Sequence, residues 1–346
     1  MDFSERIIEW YKKNRRDLPW RETSDPYAIW LSEIILQQTR VAQGLAYYIR
    51  FLEAFPTVNH LAEATEEQVL KLWQGLGYYS RARNMHAAAR EIVERYEGKF
   101  PDNYYDIRSL KGVGDYTAAA ISSFAFGLPF PVLDGNVVRV ISRFFGITTP
   151  YDRVEGKSQI RKALNSVFDP KHPAEFNQAV MEFGALQCIP SAPSCTTCIF
   201  VDSCTAFEKG KVKELPVKSS KTQVKPRYFH YLIINDGDET FIKRRGVGDI
   251  WQGLYEFPLI QTLSAISPEE LMQHPDWKRW KGKYTWKITQ IHTGIRHVLS
   301  HRILHVSFYE IYGRISKLPP GVIKIKKTAL ENYAVPVLIE KYLKKQ

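Results

Sequence analysis

The sequence predicts a multidomain protein: an all-α domain over residues 1–208, a linker over 209–226 and an α+β domain over 227–346. Three observations carry that prediction. Up to Leu186 the apolar residues recur at helical spacing, with hardly a strand-like run. From Lys209 to Arg227 the chain turns polar and lysine-rich and carries Pro216 and Pro226, as a linker does. Beyond it, short alternating runs separated by turn residues take over. A length of 346 residues agrees with two domains. No internal repeat or low-complexity tract is present.

Taken in order, residues 3–15 place Phe3, Ile7, Ile8, Trp10 and Tyr11 on one helical face, and Leu18-Pro19-Trp20-Arg21 interrupts them. Asp25 as cap and Pro26 in the first turn start a helix that runs through 27–39. Glu33 shares a face of this helix with Ile29, Trp30 and Leu36, and a carboxylate there loses hydration and favours its protonated form. Two readings stand: a glutamic acid kept ready to donate a proton, or a buried glutamate paired with an arginine such as Arg21. Further helices are expected over about 44–55, 66–74 and 80–96. Gly75-Leu76-Gly77-Tyr78-Tyr79 lies between the last two, either an aromatic wedge for a base stack or a glycine turn with packed rings.

Pro101-Asp102 begins a helix that leads into Leu110-Lys111-Gly112-Val113-Gly114-Asp115, a glycine-punctuated turn of the kind that grips a phosphate. A helix over 117–126 follows, then Leu128-Pro129-Phe130-Pro131, which forces an extended segment. Asp134 stands before the next helix, over 136–144. It reads as an N-cap and as an acid working on whatever the gripped backbone carries, and the two roles are compatible. Helices over about 156–168 and 174–186 complete the part.

All the cysteines fall between Cys188 and Cys204, at 188, 195, 198 and 204. Such clustering indicates a metal site in a reducing compartment. One C-x-x-C pair with two outliers differs from the paired motifs of common zinc modules, and four thiolates without histidine also suit an iron–sulfur cluster. In the second part strands are expected over 228–235 and 240–244, joined by Asp236-Gly237-Asp238, then over 254–260 and 303–311. Ser267-Pro268-Glu269-Glu270 opens one helix and 328–343 forms another.

The formal net charge of +11 favours an anionic partner, nucleic acid before anionic membrane. The many aromatic residues suit stacking on bases, though most serve as core. The first residues lack the pattern of a signal peptide, and no uninterrupted apolar stretch reaches membrane length. The expectation is a cytoplasmic protein, nucleoid-associated on DNA if bacterial, monomeric, with no membrane partner.

Together these motifs resemble the endonuclease III superfamily of helix–hairpin–helix DNA glycosylases. The resemblance rests on Leu110 to Gly114, on Leu133-Asp134-Gly135-Asn136 and on the 6-2-5 cysteine spacing. Within the superfamily the chain is similar to adenine DNA glycosylases of the MutY type. That match is carried by Trp30 to Glu33, Leu36 to Thr39, Gly75 to Asn84, Trp251 to Pro258 and Ser300-His301. It implies a helix–hairpin–helix glycosylase domain with an iron–sulfur loop, followed by an α+β Nudix-like domain that recognises 8-oxoguanine. The implied partner is double-stranded DNA with an A:8-oxoguanine or A:G mispair, and the implied cofactor is one 4Fe–4S cluster on Cys188, Cys195, Cys198 and Cys204.

By the same resemblance Glu33 is the general acid and later base, Asp134 stabilises the oxocarbenium-like sugar, and Asn136 hydrogen-bonds beside it. Gly112 and Gly114 bring backbone N–H groups to a phosphate. Arg21 and Gln178 line the adenine pocket, Gln38 and Tyr78 wedge into the duplex, and Ser300 and His301 read the oxidised base, with His297 or His305 as candidates to share that role. Tyr116 stands where bifunctional relatives carry a nucleophilic lysine, which implies base removal without strand cleavage. Two positions depart from the family pattern: Lys111 replaces a usual proline, and Leu299 replaces the phenylalanine that usually opens the reading loop. The second domain lacks the acid-rich Nudix helix that holds magnesium, which argues against pyrophosphatase activity. The competing expectations are a glycosylase-lyase for oxidised pyrimidines and a non-catalytic, metal-stabilised DNA-binding protein.

Overall fold

The computed structural model describes residues 2–219, 225–299, 301–315 and 318–344. The chain forms two compact units that interleave in sequence: Met1–Glu63 with Asn84–Ser220, and Ala64–Arg83 with Lys221–Gln346. The 64–83 stretch, although early in the chain, therefore belongs to the unit formed by the C-terminal residues.

The helical part runs α1 (Phe3–Asn14), α2 (Pro26–Leu36), α3 (Val41–Ala54), α4 (Val58–Glu63), α5 (Glu66–Trp73), α6 (Ser80–Tyr96), α7 (Tyr104–Ser109), α8 (Asp115–Phe126), α9 (Gly135–Phe145), α10 (Val154–Val167), α11 (Pro173–Leu186) and α12 (Thr205–Glu208). Asp25 caps α2 through the amides of Tyr27 and Ala28, with Pro26 in the first turn. The helix expected to reach residue 39 ends at Leu36, because Gln37 leaves helical geometry and Gln38 takes φ 56°. The apolar face of α1 packs Phe3, Ile7, Ile8 and Tyr11 against Val137, Val140 and Ile141 of α9 and Phe176, Ala179, Val180 and Phe183 of α11. Each such side chain contributes about 1.5–3 kcal/mol on burial, so this three-helix seam fixes where α9 begins.

The segment expected to be a linker is fastened to the helical unit over much of its length. The Nε of Arg143 donates to the Leu215 carbonyl at 3.1 Å, the Tyr151 amide to the Val217 carbonyl at 2.9 Å, and the Ser219 amide and hydroxyl to Asp152 at 2.9 and 2.7 Å. Strand β1 begins at Lys225, before the end of the lysine-rich stretch.

The second unit is built on a mixed sheet of β1 (Lys225–Asp236), β2 (Glu239–Arg244), β3 (Tyr255–Glu256), β4 (Leu259–Thr262), β5 (Lys287–Val298), β6 (Arg302–Tyr312) and β7 (Val322–Lys326). The order is β3-β2-β1-β6-β5, with β4 on β1 and β7 on β2. β1 and β6 are parallel, from Lys225 opposite Arg302 to Asn235 opposite Tyr312, and the remaining pairings are antiparallel. Alternation along β1 splits the core. Phe229, Tyr231 and Ile233 face Leu338, Ile339 and Tyr342 of α15 (Val337–Leu343), and Leu232 and Ile234 face Trp277 and Trp280 of α14 (Pro275–Lys281), with α13 (Pro268–Gln273) beside it. The expected 254–260 strand is two short strands around Pro258, which cannot donate a ladder bond. The expected 328–343 helix is a 3-10 turn (Lys327–Asn332) and α15, separated at Pro336.

Candidate active site

Glu33, Asp134, Asn136, Tyr116, Arg21 and Gln178 all line one cleft in the helical unit. α2 turns Glu33 inward, where it is 7 % exposed. The Tyr116 hydroxyl, from α8, donates to Glu33 Oε2 at 2.6 Å. Burial is the largest influence on Glu33 and pushes its pKa up to about 7, the Tyr116 hydrogen bond opposing and nearby Asp134 adding to the rise. A carboxyl in this state exchanges a proton near neutrality, as a general acid requires.

Asp134 is the N-cap of α9: its Oδ1 accepts from the Val137 amide at 2.7 Å and its Oδ2 from Asn136 Nδ2 at 2.8 Å. Burial raises its pKa against those hydrogen bonds. Asn136 is itself held, because Arg139 Nη2 donates to its Oδ1 at 2.9 Å. The same guanidinium donates to the Gly184 carbonyl at 2.6 Å and, through Nε, to the Cys188 carbonyl at 2.7 Å. A continuous hydrogen-bonded line thus joins the acid at the head of α9 to the first cysteine of the loop.

Arg21 does not pair with Glu33. It is drawn to Glu182 on α11, Nη1 at 3.0 Å and Nη2 at 2.8 Å from the two oxygens, while its Nε donates to Gln178 Oε1 at 3.0 Å. Arg16 adds its backbone amide at 2.9 Å and its guanidinium at 2.8 and 2.5 Å. Burial opposes ionisation of Glu182, yet the bonds from Arg16 and Arg21 hold its pKa down at about 2. Beside Asp134, the cleft therefore holds two glutamates set apart by their surroundings, Glu33 poised near neutrality and Glu182 kept ionised by its arginines. The sequence alone does not single out Glu182, Arg16 or Met181, which line the cleft, Met181 with its Sδ 3.8 Å from the Tyr116 hydroxyl. The available signal was the spacing of Gln178 and Glu182, which puts both on one face of α11.

The hairpin joins α7 to α8. Gly112 has φ 79°, and a Cβ there would lie 2.6 Å from Asn84 Cβ, so only glycine fits. Gly114 is the N-cap of α8 and faces open space, leaving the first amides of the helix approachable. Gln38 and Tyr78, each in its own unit, are exposed and take the left-handed backbone, φ 56° and 47°. Such strain in non-glycine residues is retained mainly where function needs it.

The four cysteines line one cavity walled by Val140, Phe144, Phe183 and Phe200. Arg143 Nη1 donates to Cys188 Sγ and the Phe200 amide to Cys198 Sγ, both at 3.4 Å. Among the described residues no three His, Cys, Asp or Glu side chains are grouped to grip a single metal ion. Donors aimed at sulfur and an apolar wall around a shared cavity fit a thiolate-held group.

In the second unit Tyr78, Leu299, His301, His297 and Trp251 line one groove. His301 is exposed, and burial lowers the pKa of His297. His305 stacks on Tyr228 at 4.9 Å and is not among the residues lining the groove. Ser300 lies outside the described residues. Among the described residues no helix is long and apolar enough to cross a membrane.

Residues 31–170 match the family model of the HhH-GPD superfamily base excision DNA repair protein, and residues 230–345 match that of the NUDIX domain. The structure of a thermostable thymine-DNA glycosylase, 31% identical, superposes with a TM-score of 0.55 over 60% of this chain and 95% of that one. A non-covalent endonuclease III–DNA complex shares the fold at 21% identity and a TM-score of 0.52, over 60% and 94% of the two chains. Fold and cleft thus define a base-excision repair protein of the helix–hairpin–helix class. The adenine DNA glycosylase of Buchnera aphidicola subsp. Baizongia pistaciae is 33% identical over 88% of this chain and 84% of its own length. The mouse adenine DNA glycosylase is 30% identical over 98% of this chain and 76% of its own. The chain belongs to the adenine DNA glycosylase family.

Proposed function

We propose that the chain removes adenine mispaired with 8-oxoguanine, or with guanine, by hydrolysing its N-glycosidic bond, and leaves the strand uncut. The observation that carries this reading is the buried Glu33, poised near pH 7 on the Tyr116 hydroxyl in a cleft that also holds Asp134. Chemistry on a base inside the duplex requires the nucleotide to be extruded, and the hairpin amides at Gly112 to Gly114 supply a backbone grip while Gln38 and Tyr78 fill the stack. Arg21 and Gln178 orient the adenine. Glu33 delivers a proton to N7 of the base, which weakens the glycosidic bond. Asp134, oriented by Asn136, opposes the positive charge that grows on the sugar. Glu33, now ionised, takes a proton from the attacking water. Tyr116 has no amine to form a Schiff base, so the product is an abasic site.

Cys188, Cys195, Cys198 and Cys204 would hold one 4Fe–4S cluster, for which the shared cavity, its apolar wall and the donors to sulfur are the support. When bound, the cluster would supply a structural cross-link, while the lysines that follow it, Lys209, Lys211 and Lys213, would present positive charge to the DNA backbone. The second unit reads 8-oxoguanine through the groove lined by Tyr78 and His301. The protein acts as a monomer in the cytoplasm, on the nucleoid if the source is bacterial.

A single assay tests this. A duplex with adenine opposite 8-oxoguanine is scored for abasic sites and, separately, for nicks formed without added base or heat. Abasic sites without nicks are expected. Intact adenine would overturn the enzyme reading, and spontaneous nicking would point to a glycosylase-lyase. Iron and sulfide analysis of anaerobically purified protein tests the cluster, and zinc without iron would overturn it.

A further inference from the structure

Tyr116, whose hydroxyl meets Glu33, also lines a second groove in the helical unit, between α8 and α10. α10 lines it with Lys157, Arg161 and Asn165, spaced four residues apart and so on one helical face, with Lys157 and Arg161 about 6 Å apart along the axis. Opposite them Tyr104 and Phe130 form a stacked pair, centroids 4.3 Å apart and rings 14° from parallel. Asp115, at the N-terminus of α8 and therefore next to the hairpin, also lines the groove. Its carboxylate takes Arg108 at 2.7 Å and Arg161 at 3.1 Å.

Two guanidinium groups on one carboxylate over-compensate its charge, and Lys157 adds a cation that is exposed and makes no ion pair among the described residues. The groove is thus cationic, contiguous with the phosphate-gripping hairpin, and floored by a flat aromatic pair. Of the residues that line it, only Tyr116 enters the excision chemistry.

We propose that this groove is a second backbone subsite, in which Lys157 and Arg161 hold the DNA strand on past the phosphate held at the hairpin. The inference rests on the reading of the chain as a DNA glycosylase. It adds a sequence-independent contact that anchors the helical unit beside the extruded nucleotide. Contacts of this kind position a protein without reading bases, and each releases about one counterion.

The test is equilibrium binding of the full-length protein to a duplex with 8-oxoguanine opposite a non-cleavable 2′-fluoro-deoxyadenosine, measured across a salt series. Lys157→Gln is expected to reduce the slope of log K against log salt by about 1 and to weaken binding roughly 5–10-fold at ~0.1 M salt. Arg161→Gln is expected to do the same, with Arg161→Lys restoring most of the slope. Single-turnover adenine release by Lys157→Gln at sub-saturating protein should fall in step with the weaker binding. Lys162→Gln removes an equal charge from an α10 residue that does not line the groove, and should leave the slope unchanged. Wild-type binding with a Lys157→Gln slope equal to wild type, or equal effects at Lys157 and Lys162, would overturn the subsite. A wild-type protein that does not bind the duplex would overturn the glycosylase reading as well.

Discussion

At the scale of single residues, the site depends on how burial and hydrogen bonds divide two glutamates. Glu33 has one neutral donor, Tyr116, and rises to about 7, whereas Glu182 has two arginines and falls to about 2. Glu33→Gln should lower single-turnover adenine release by about 10²–10⁴-fold while duplex binding is largely kept, which a non-catalytic DNA-binding protein would not show. Because Glu33 must be protonated to act as the acid, the release rate should fall as pH rises through about 7. The Tyr116 bond favours the carboxylate, so Tyr116→Phe should move that limb of the pH–rate profile to higher pH; an unmoved limb would assign it to another group. The same shift affects stability. Between the ordinary glutamate value of 4.5 and about 7 only the folded state keeps the proton, so folding is opposed increasingly as pH rises, by up to about 3 kcal/mol above pH 7. Glu33→Gln should therefore raise the melting temperature at pH 8 and change it little at pH 4.

At the scale of elements, what counts is where helices begin. α8 and α9 both start at the site, one from the hairpin glycines and one from Asp134. Gly112→Ala would force a side chain into a left-handed turn and against Asn84, costing roughly 1–3 kcal/mol. It should lower both the melting temperature and the affinity for any duplex, mispaired or not. Arg139 ties the first turn of α9 to Cys188 and Gly184, and Arg139→Met leaves those carbonyls and the Asn136 oxygen without their donor. The expected loss is roughly 2–4 kcal/mol of stability, with a lower release rate even on saturating DNA and a reduced iron content per chain.

At the scale of the molecule, the two units do not divide at one point in the chain. α5 and the Gly75–Tyr79 turn are held by bonds within the second unit. Gln74 Oε1 accepts from the Val335 amide at 3.2 Å, Arg83 Nη1 donates to the Gln252 carbonyl at 2.6 Å, and Arg244 pairs with Glu66 at 2.7 Å. Truncation after Arg227 should weaken the preference for adenine opposite 8-oxoguanine while some adenine removal persists. It should also lower thermal stability and increase protease sensitivity around Tyr78, because that segment loses the groove residues Trp251 and His301 together with its hydrogen bonds. An unchanged preference would remove the reader role from the second unit.

The sequence by itself determined the all-α and α+β parts, the α2 and α9 caps, the hairpin, the cysteine spacing and the resemblance carried by Glu33, Tyr116 and Asp134. These are local signals: period, cap, turn chemistry and residue type at fixed offsets. Only the tertiary structure decided that Arg21 serves Glu182 and not Glu33, that Arg139 links Asn136 to Cys188, and that residues 64–83 belong with the C-terminal unit. β5 was not legible, since as an exposed edge strand it has no buried face to impose alternation. Arg16 and Arg21 lie more than a hundred residues from Glu182 in the chain, and packing, not spacing, brings them to it.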